Sequence, residues 1–144
     1  MIDKLKKTYF NLLIPAIVGF LCIYLLKEFN FIIHLGKPQF ISILAPSVFV
    51  LSVIFAIAAP IFFRSLFAHK MSNKKSTPES KLIKFEQSLI RIALVTPYLG
   101  WAAYFFEFQK FYFSAIFIVA FYSVYYFYPS QKRIAFEKRI FRVK

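Results

Sequence analysis

Phe40–Phe63 reads FISILAPSVFVLSVIFAIAAPIFF, 24 residues without a charged side chain, and Arg64 closes it. A bilayer core of ~30 Å is crossed by ~20 apolar residues in a helix, with ~17–25 the usual range. The stretch therefore reads as a membrane span. Three neighbours read the same way: Tyr9–Leu26 before it, then Leu89–Phe106, broken only by Arg91, and Phe111–Tyr128. Short charged segments separate them. Threading the chain in and out puts 16 of its 19 Lys and Arg on one face, and only Lys27, Lys37 and Lys110 on the other. By the positive-inside rule the crowded face is cytoplasmic, so both termini are expected inside. The expected fold is all-α: a polytopic membrane protein built as a left-handed four-transmembrane-helix bundle, N-in and C-in. It forms one domain over 1–144, with spans at about 9–26, 40–63, 86–106 and 111–128. A basic cytoplasmic loop at 64–85 and a basic cytoplasmic tail at 129–144 complete it.

Composition agrees with that class. The chain is 60% hydrophobic and 22% aromatic, far from the usual soluble make-up. Its net charge of +13 does not point to nucleic acid, because the excess flanks the spans. There each Lys or Arg is attracted to anionic headgroups by about 1 kcal/mol. The partners expected are therefore membrane lipids at the cytoplasmic face, and the expected location is the bacterial cytoplasmic (inner) membrane. Lys4, Lys6 and Lys7 before an apolar run resemble a signal peptide. The run ends Tyr24-Leu25-Leu26-Lys27-Glu28 without a small-residue cleavage site, so it reads as a retained anchor. Cys22 is the single cysteine and lies inside the first span.

Small residues mark the expected helix contacts. Ala45, Ser52, Ala56 and Ala59 share one face of the second span, and Ala93, Thr96, Gly100 and Ala103 one face of the third. Lipid tails are as apolar as Leu, so helices associate by close approach, which small residues permit. The second and third spans are expected to pack small face on small face, or else one such face meets a second protomer. Pro15 predicts a kink in the first span. Phe29–Gly36 is too apolar for an open loop and is expected in the interface, with Gly36 and Pro38 turning into the second span. The end of the fourth span, Tyr125-Tyr126-Phe127-Tyr128, reads as an aromatic belt at headgroup level. Met71–Ser80, rich in Ser, Asn, Lys and Pro, is expected to be mobile.

A partial repeat appears at an offset of 51 residues. Pro78-Glu79-Ser80-Lys81-Leu82-Ile83-Lys84-Phe85-Glu86 is echoed by Pro129-Ser130-Gln131-Lys132-Arg133-Ile134-Ala135-Phe136-Glu137, and Arg91 by Arg142. Both copies are expected to be helices starting at the cytoplasmic surface. Duplication and similar membrane-edge demands on a narrow alphabet explain the match equally.

Candidate chemistry is sparse. Arg91 is the one charge within an apolar stretch, and Lys84, Gln87 and Arg91 share a helical face. With Arg139 and Arg142 of the tail they form the candidate lipid or anion site, and Arg133 and Lys138 of the same tail copy are expected at the same depth. Arg91 is expected to snorkel to the cytoplasmic interface and to meet phosphate, a carbonyl, Glu86 or Glu137. His34 and His69 fall on opposite sides, and no metal-ligand spacing, phosphate loop or nucleophile–base pair is present. No metal, cofactor or catalysis is expected. The functional expectation is a non-catalytic assembly or accessory subunit of a membrane complex, as a homo-oligomer or within a larger assembly. The alternative is a small oligomeric transporter or channel, suggested by Pro15, Pro46, Pro60 and Pro97. A reporter fused after Lys144 should behave as cytoplasmic; an outside readout refutes the topology.

Overall fold

The first apolar stretch becomes the interior of a longer helix. In the computed structural model, which describes residues 1–29, 39–72 and 76–143, α1 runs Ile2–Glu28. Its first turns carry the basic residues that the span leaves behind, and Pro15 lies within it. The second stretch forms α2 (Phe40–Val53), a π-helical segment (Ile54–Ala58) and α3 (Ala59–Ser72), without a break. Pro60 has no N–H for the Ala56 carbonyl, and the widened turn just before it accommodates that loss. Helix α3 continues well past the apolar residues. The basic stretch 64–85 is thus largely helical, and Met71, Ser72, Glu79 and Ser80 of the expected mobile segment lie in helices. Residues 73–75 and 30–38 lie outside the described residues, and with them most of the interfacial segment and turn expected at Phe29–Pro38.

The third stretch departs from expectation. In place of one continuous helix over 86–106 there are α4 (Glu79–Ala93), a turn at Leu94–Val95 and α5 (Thr96–Phe105). Pro97 explains the break, because it cannot bond the Ala93 carbonyl and disfavours helical geometry in the residue before it. Helix α6 covers Lys110–Tyr126. After Pro129, helix α7 (Gln131–Ile140) turns 75° away from it. Ser130 caps α7, its hydroxyl accepting from the Arg133 N–H at 3.2 Å.

The fold is all-α, with 85% of the described residues helical. Two helices, Ile2–Glu28 and Phe40–Ser72, are long and apolar enough to cross a membrane, and α6 with α7 makes a third if the bent pair is one span. Alone, α6 has 17 residues. At 1.5 Å per residue that is roughly 25 Å, just short of the ~30 Å core.

Packing is organised around α5, which lies against both α1 and α6. Three side-chain donors tie α1 to its neighbours through backbone carbonyls: from α5, Tyr98 Oη donates to Leu12 O at 2.6 Å and Trp101 Nε1 to Ala16 O at 2.8 Å, and from α1, Tyr9 Oη donates to Val124 O of α6 at 2.8 Å. Pro15 leaves the Asn11 carbonyl without its helical N–H, so this turn of α1 is where its own ladder is weakest. The small residues are inside: Ser52, Ala56, Thr96, Gly100 and Ala103 are buried and Ala59 half-buried. Gly100 opens toward the Phe117 ring of α6, and Ala103 joins Ile41, Ala45, Val48 and Ile116. Ala45 of the second span and Ala103 of the third thus share one cluster, while Gly100 makes room for a large ring.

Gly19 illustrates the fit, since a Cβ there would run into the Trp101 ring. Gly19→Ala is expected to lower stability by ~1–3 kcal/mol, the usual cost of overpacking. Trp101→Leu in the same chain should recover part of the loss. An unchanged thermal unfolding midpoint in detergent would refute this packing.

Candidate functional site

On α4 the buried face carries Leu82, Glu86, Leu89, Ile90 and Ala93, so an acid sits in an apolar stripe. Glu86 is fully buried. A buried charge is costly unless paired, and α7 supplies the partner. Arg133 Nη2 donates to Glu86 Oε2 at 2.6 Å. Its guanidinium also lies over the Phe127 ring, 5.3 Å from the centroid. One turn further along α7, buried Glu137 accepts from Arg64 Nη2 on α3, at 2.9 Å to Oε1 and 3.1 Å to Oε2. Two arginines and two glutamates thereby tie α3, α4 and α7 together.

Aromatic packing closes the far side. Phe67 of α3 stacks on Phe85 of α4 with centroids 4.1 Å apart, and Phe141 meets Phe67 edge-on at 5.0 Å. At the surface Lys138 donates to Glu79 at 2.8 Å, and Thr77 N–H bonds the Arg142 carbonyl at 3.3 Å. The Lys138 hydrogen bond, helped by its charge, holds the Glu79 carboxyl below the usual carboxylate range. A lowered carboxylate contributes stability above its ordinary pKa, and that contribution is lost as pH falls through the lowered one. The strap between α4 and α7 therefore loosens only in acid.

Two clefts share Arg64, Tyr126 and Arg133 in their walls. One, of about 100 Å³, runs along the π-helical segment at Ala56 and Pro60. The other, of about 350 Å³, is bordered by Tyr125, Tyr128 and Glu137. Within the network, Glu86 Oε1 and Arg133 Nη1 are buried without a hydrogen-bond partner. The arrangement holds guanidinium donors against oxygen anions.

The residues singled out from sequence lie elsewhere. Arg91, Lys84, Arg139 and Arg142 are exposed. Gln87 is half-buried, and its Nε2 donates to Thr8 Oγ1 at 3.2 Å. Of the contacts expected for exposed Arg91, those with Glu86 and Glu137 are taken by Arg133 and Arg64, which leaves phosphate or a carbonyl. Geometry gives the reason. Five residues at about 100° each put Arg91 on the opposite side of α4 from Glu86. The cations that meet the two carboxylates are Arg133, one of those expected to converge, and Arg64 of α3. A signal for the acids was present: Glu86 and Glu137 are the one acid common to both copies of the repeat. Among the described residues no three of His, Cys, Asp and Glu cluster as metal ligands; His69 and Cys22 are exposed. No family model, curated protein or solved structure matches the chain.

Removing one partner of a buried pair strands the other. Glu86→Ala is expected to cost ~3–5 kcal/mol, while Glu86→Leu with Arg133→Met should recover most of it. Thermal unfolding followed by helical content reads both; equal losses in single and double variants would refute the pairing.

Proposed function

We propose that the chain is a four-span integral membrane protein of a bacterial cytoplasmic membrane, N-in and C-in, acting without catalysis as an assembly or accessory subunit. Its crossings are α1, α2 with α3, α4 with α5, and α6. The contacts between helix ends support this threading. Lys27 at the end of α1 donates to the Tyr104 carbonyl at 2.7 Å and to Glu107 at 3.0 Å, beside the end of α5. Tyr9, near the start of α1, reaches Val124 near the end of α6. Helix α7 then lies along the cytoplasmic headgroups, its Lys and Arg facing anionic lipid.

The observation that carries the accessory reading is the division of surfaces. Ionisable groups of the network are spent on one another inside the protein. The outward flank is apolar: Ile14, Ile17, Val18, Leu21 and Leu25 on α1, and Ile43, Val50 and Ile61 on the second long helix, are all exposed. Such a flank suits lipid, a second copy or a larger membrane complex. A transporter or channel draws on one feature, the π-helical segment beside the smaller cleft, since such segments recur at functional sites.

Purification in mild detergent from native expression levels should yield the chain with a second copy or a protein partner. A lone monodisperse monomer would overturn the accessory reading. Reproducible ion uptake into proteoliposomes would promote the transporter.

A further inference from the structure

Arg64 and Arg133 stand side by side in the walls of both clefts, and each directs its Nη2 at a carboxylate. A guanidinium carries five N–H donors, so most of this capacity is unused by the acids. Arg133 Nη1 is buried and unpartnered. The wider cleft, about 350 Å³, combines these cations with Glu137 and with the rings of Tyr125, Tyr126 and Tyr128. The charges of the two arginines and two glutamates sum to zero, so the network does not select a net anion. It offers guanidinium forks next to a carboxylate and π-faces.

We propose that this cleft binds the headgroup of a zwitterionic aminophospholipid, with phosphate on Arg64 and Arg133 and the ammonium toward Glu137 and the tyrosine rings. The inference rests on the membrane reading above. Guanidinium forks match phosphate oxygens in geometry, and a primary ammonium donates to a carboxylate and sits over aromatic faces. Both oxygens of Glu137 accept from Arg64, yet a carboxylate has about four acceptor sites and retains room for another donor. The depth also fits. The cleft lies where α6 ends in tyrosines and the chain turns 75° into α7, and Tyr125 is 86% exposed at its rim. An anionic headgroup without an amine would set its charge against Glu137. A choline headgroup keeps the ring contact but has no N–H for the carboxylate.

The test uses the full chain in detergent, exposed to vesicles of equimolar phosphatidylethanolamine, phosphatidylcholine and phosphatidylglycerol, repurified and weighed by native mass spectrometry. Ethanolamine lipid should be retained several-fold over the other two. Arg64→Gln with Glu137→Gln, which keeps the pair neutral and hydrogen-bonded, should abolish the preference. Arg91→Gln with Arg142→Gln should leave it intact. If the first variant loses its helical content, Tyr125→Leu with Tyr128→Leu, at exposed ring positions, carries the test and should weaken ethanolamine retention. Equal retention, preference for phosphatidylglycerol, or an unchanged preference in the cleft variants would overturn the proposal. So would stabilisation by inorganic phosphate alone without any lipid preference, which would assign the arginines to free phosphate. Reporter topology and co-purification read the membrane and accessory proposals independently, so a failure here is distinguishable from a failure there.

Discussion

The fold at the basic end depends on one constraint: Glu86 is an acid on the buried face of a helix and must meet a cation. Arg133 is that cation, and three local features bring it into place. Pro129 ends the preceding turn, Ser130 caps the new helix, and the Phe127 ring supports the guanidinium. Once α7 lies across α4, Glu137 is carried inward one turn later and needs a partner of its own. Arg64 supplies it from α3, which therefore has to continue as a helix beyond its apolar residues. Buried ion pairs seldom exceed well-packed apolar groups in net stability. Their effect here is to make one orientation of α7 acceptable and others expensive.

The rest of the structure is held differently. Between the basic end and the Lys27–Glu107 pair at the other, helices meet without charges. Cohesion there comes from shape, as with Phe117 in the space above Gly100, and from tyrosine and tryptophan donors reaching carbonyls on α1. Bonds of this kind average only about 0.6 kcal/mol in membrane proteins. They gain weight beside Pro15, where the helix has lost one of its own. Rigid packing in the middle and ion pairing at the end are two solutions to the same shortage of solvent.

The helical class and the positions of the apolar stretches were legible because length and the absence of charge suffice to identify them. The break at Leu94–Val95 was harder, since Pro97 inside an apolar run is tolerated in many membrane helices and only the packing of α5 against α1 and α6 decides the outcome. Arg91 drew attention because it interrupts an apolar run. Linear neighbours do not reveal that Arg91 and Glu86 lie on opposite sides of α4. Arg133 belongs to the converging cations of the tail, but Arg64 has nothing in its immediate sequence to separate it from Lys70 or Lys81. Pairing across α3, α4 and α7 is a tertiary fact.

The repeat is where sequence and structure inform one another most. Its two copies become the starts of α4 and α7, and each begins one or two residues after a proline. Arg91 and Arg142 are exposed in both. Composition at a membrane edge accounts for the shared Lys, Ile and Phe. It does not account for an acid placed twice on a buried face, where it is costly until paired. Arg133 holds Glu86 and Arg64 holds Glu137, so each carboxylate has its own cation. The shared motif thus marks the two carboxylates around which the basic end is assembled.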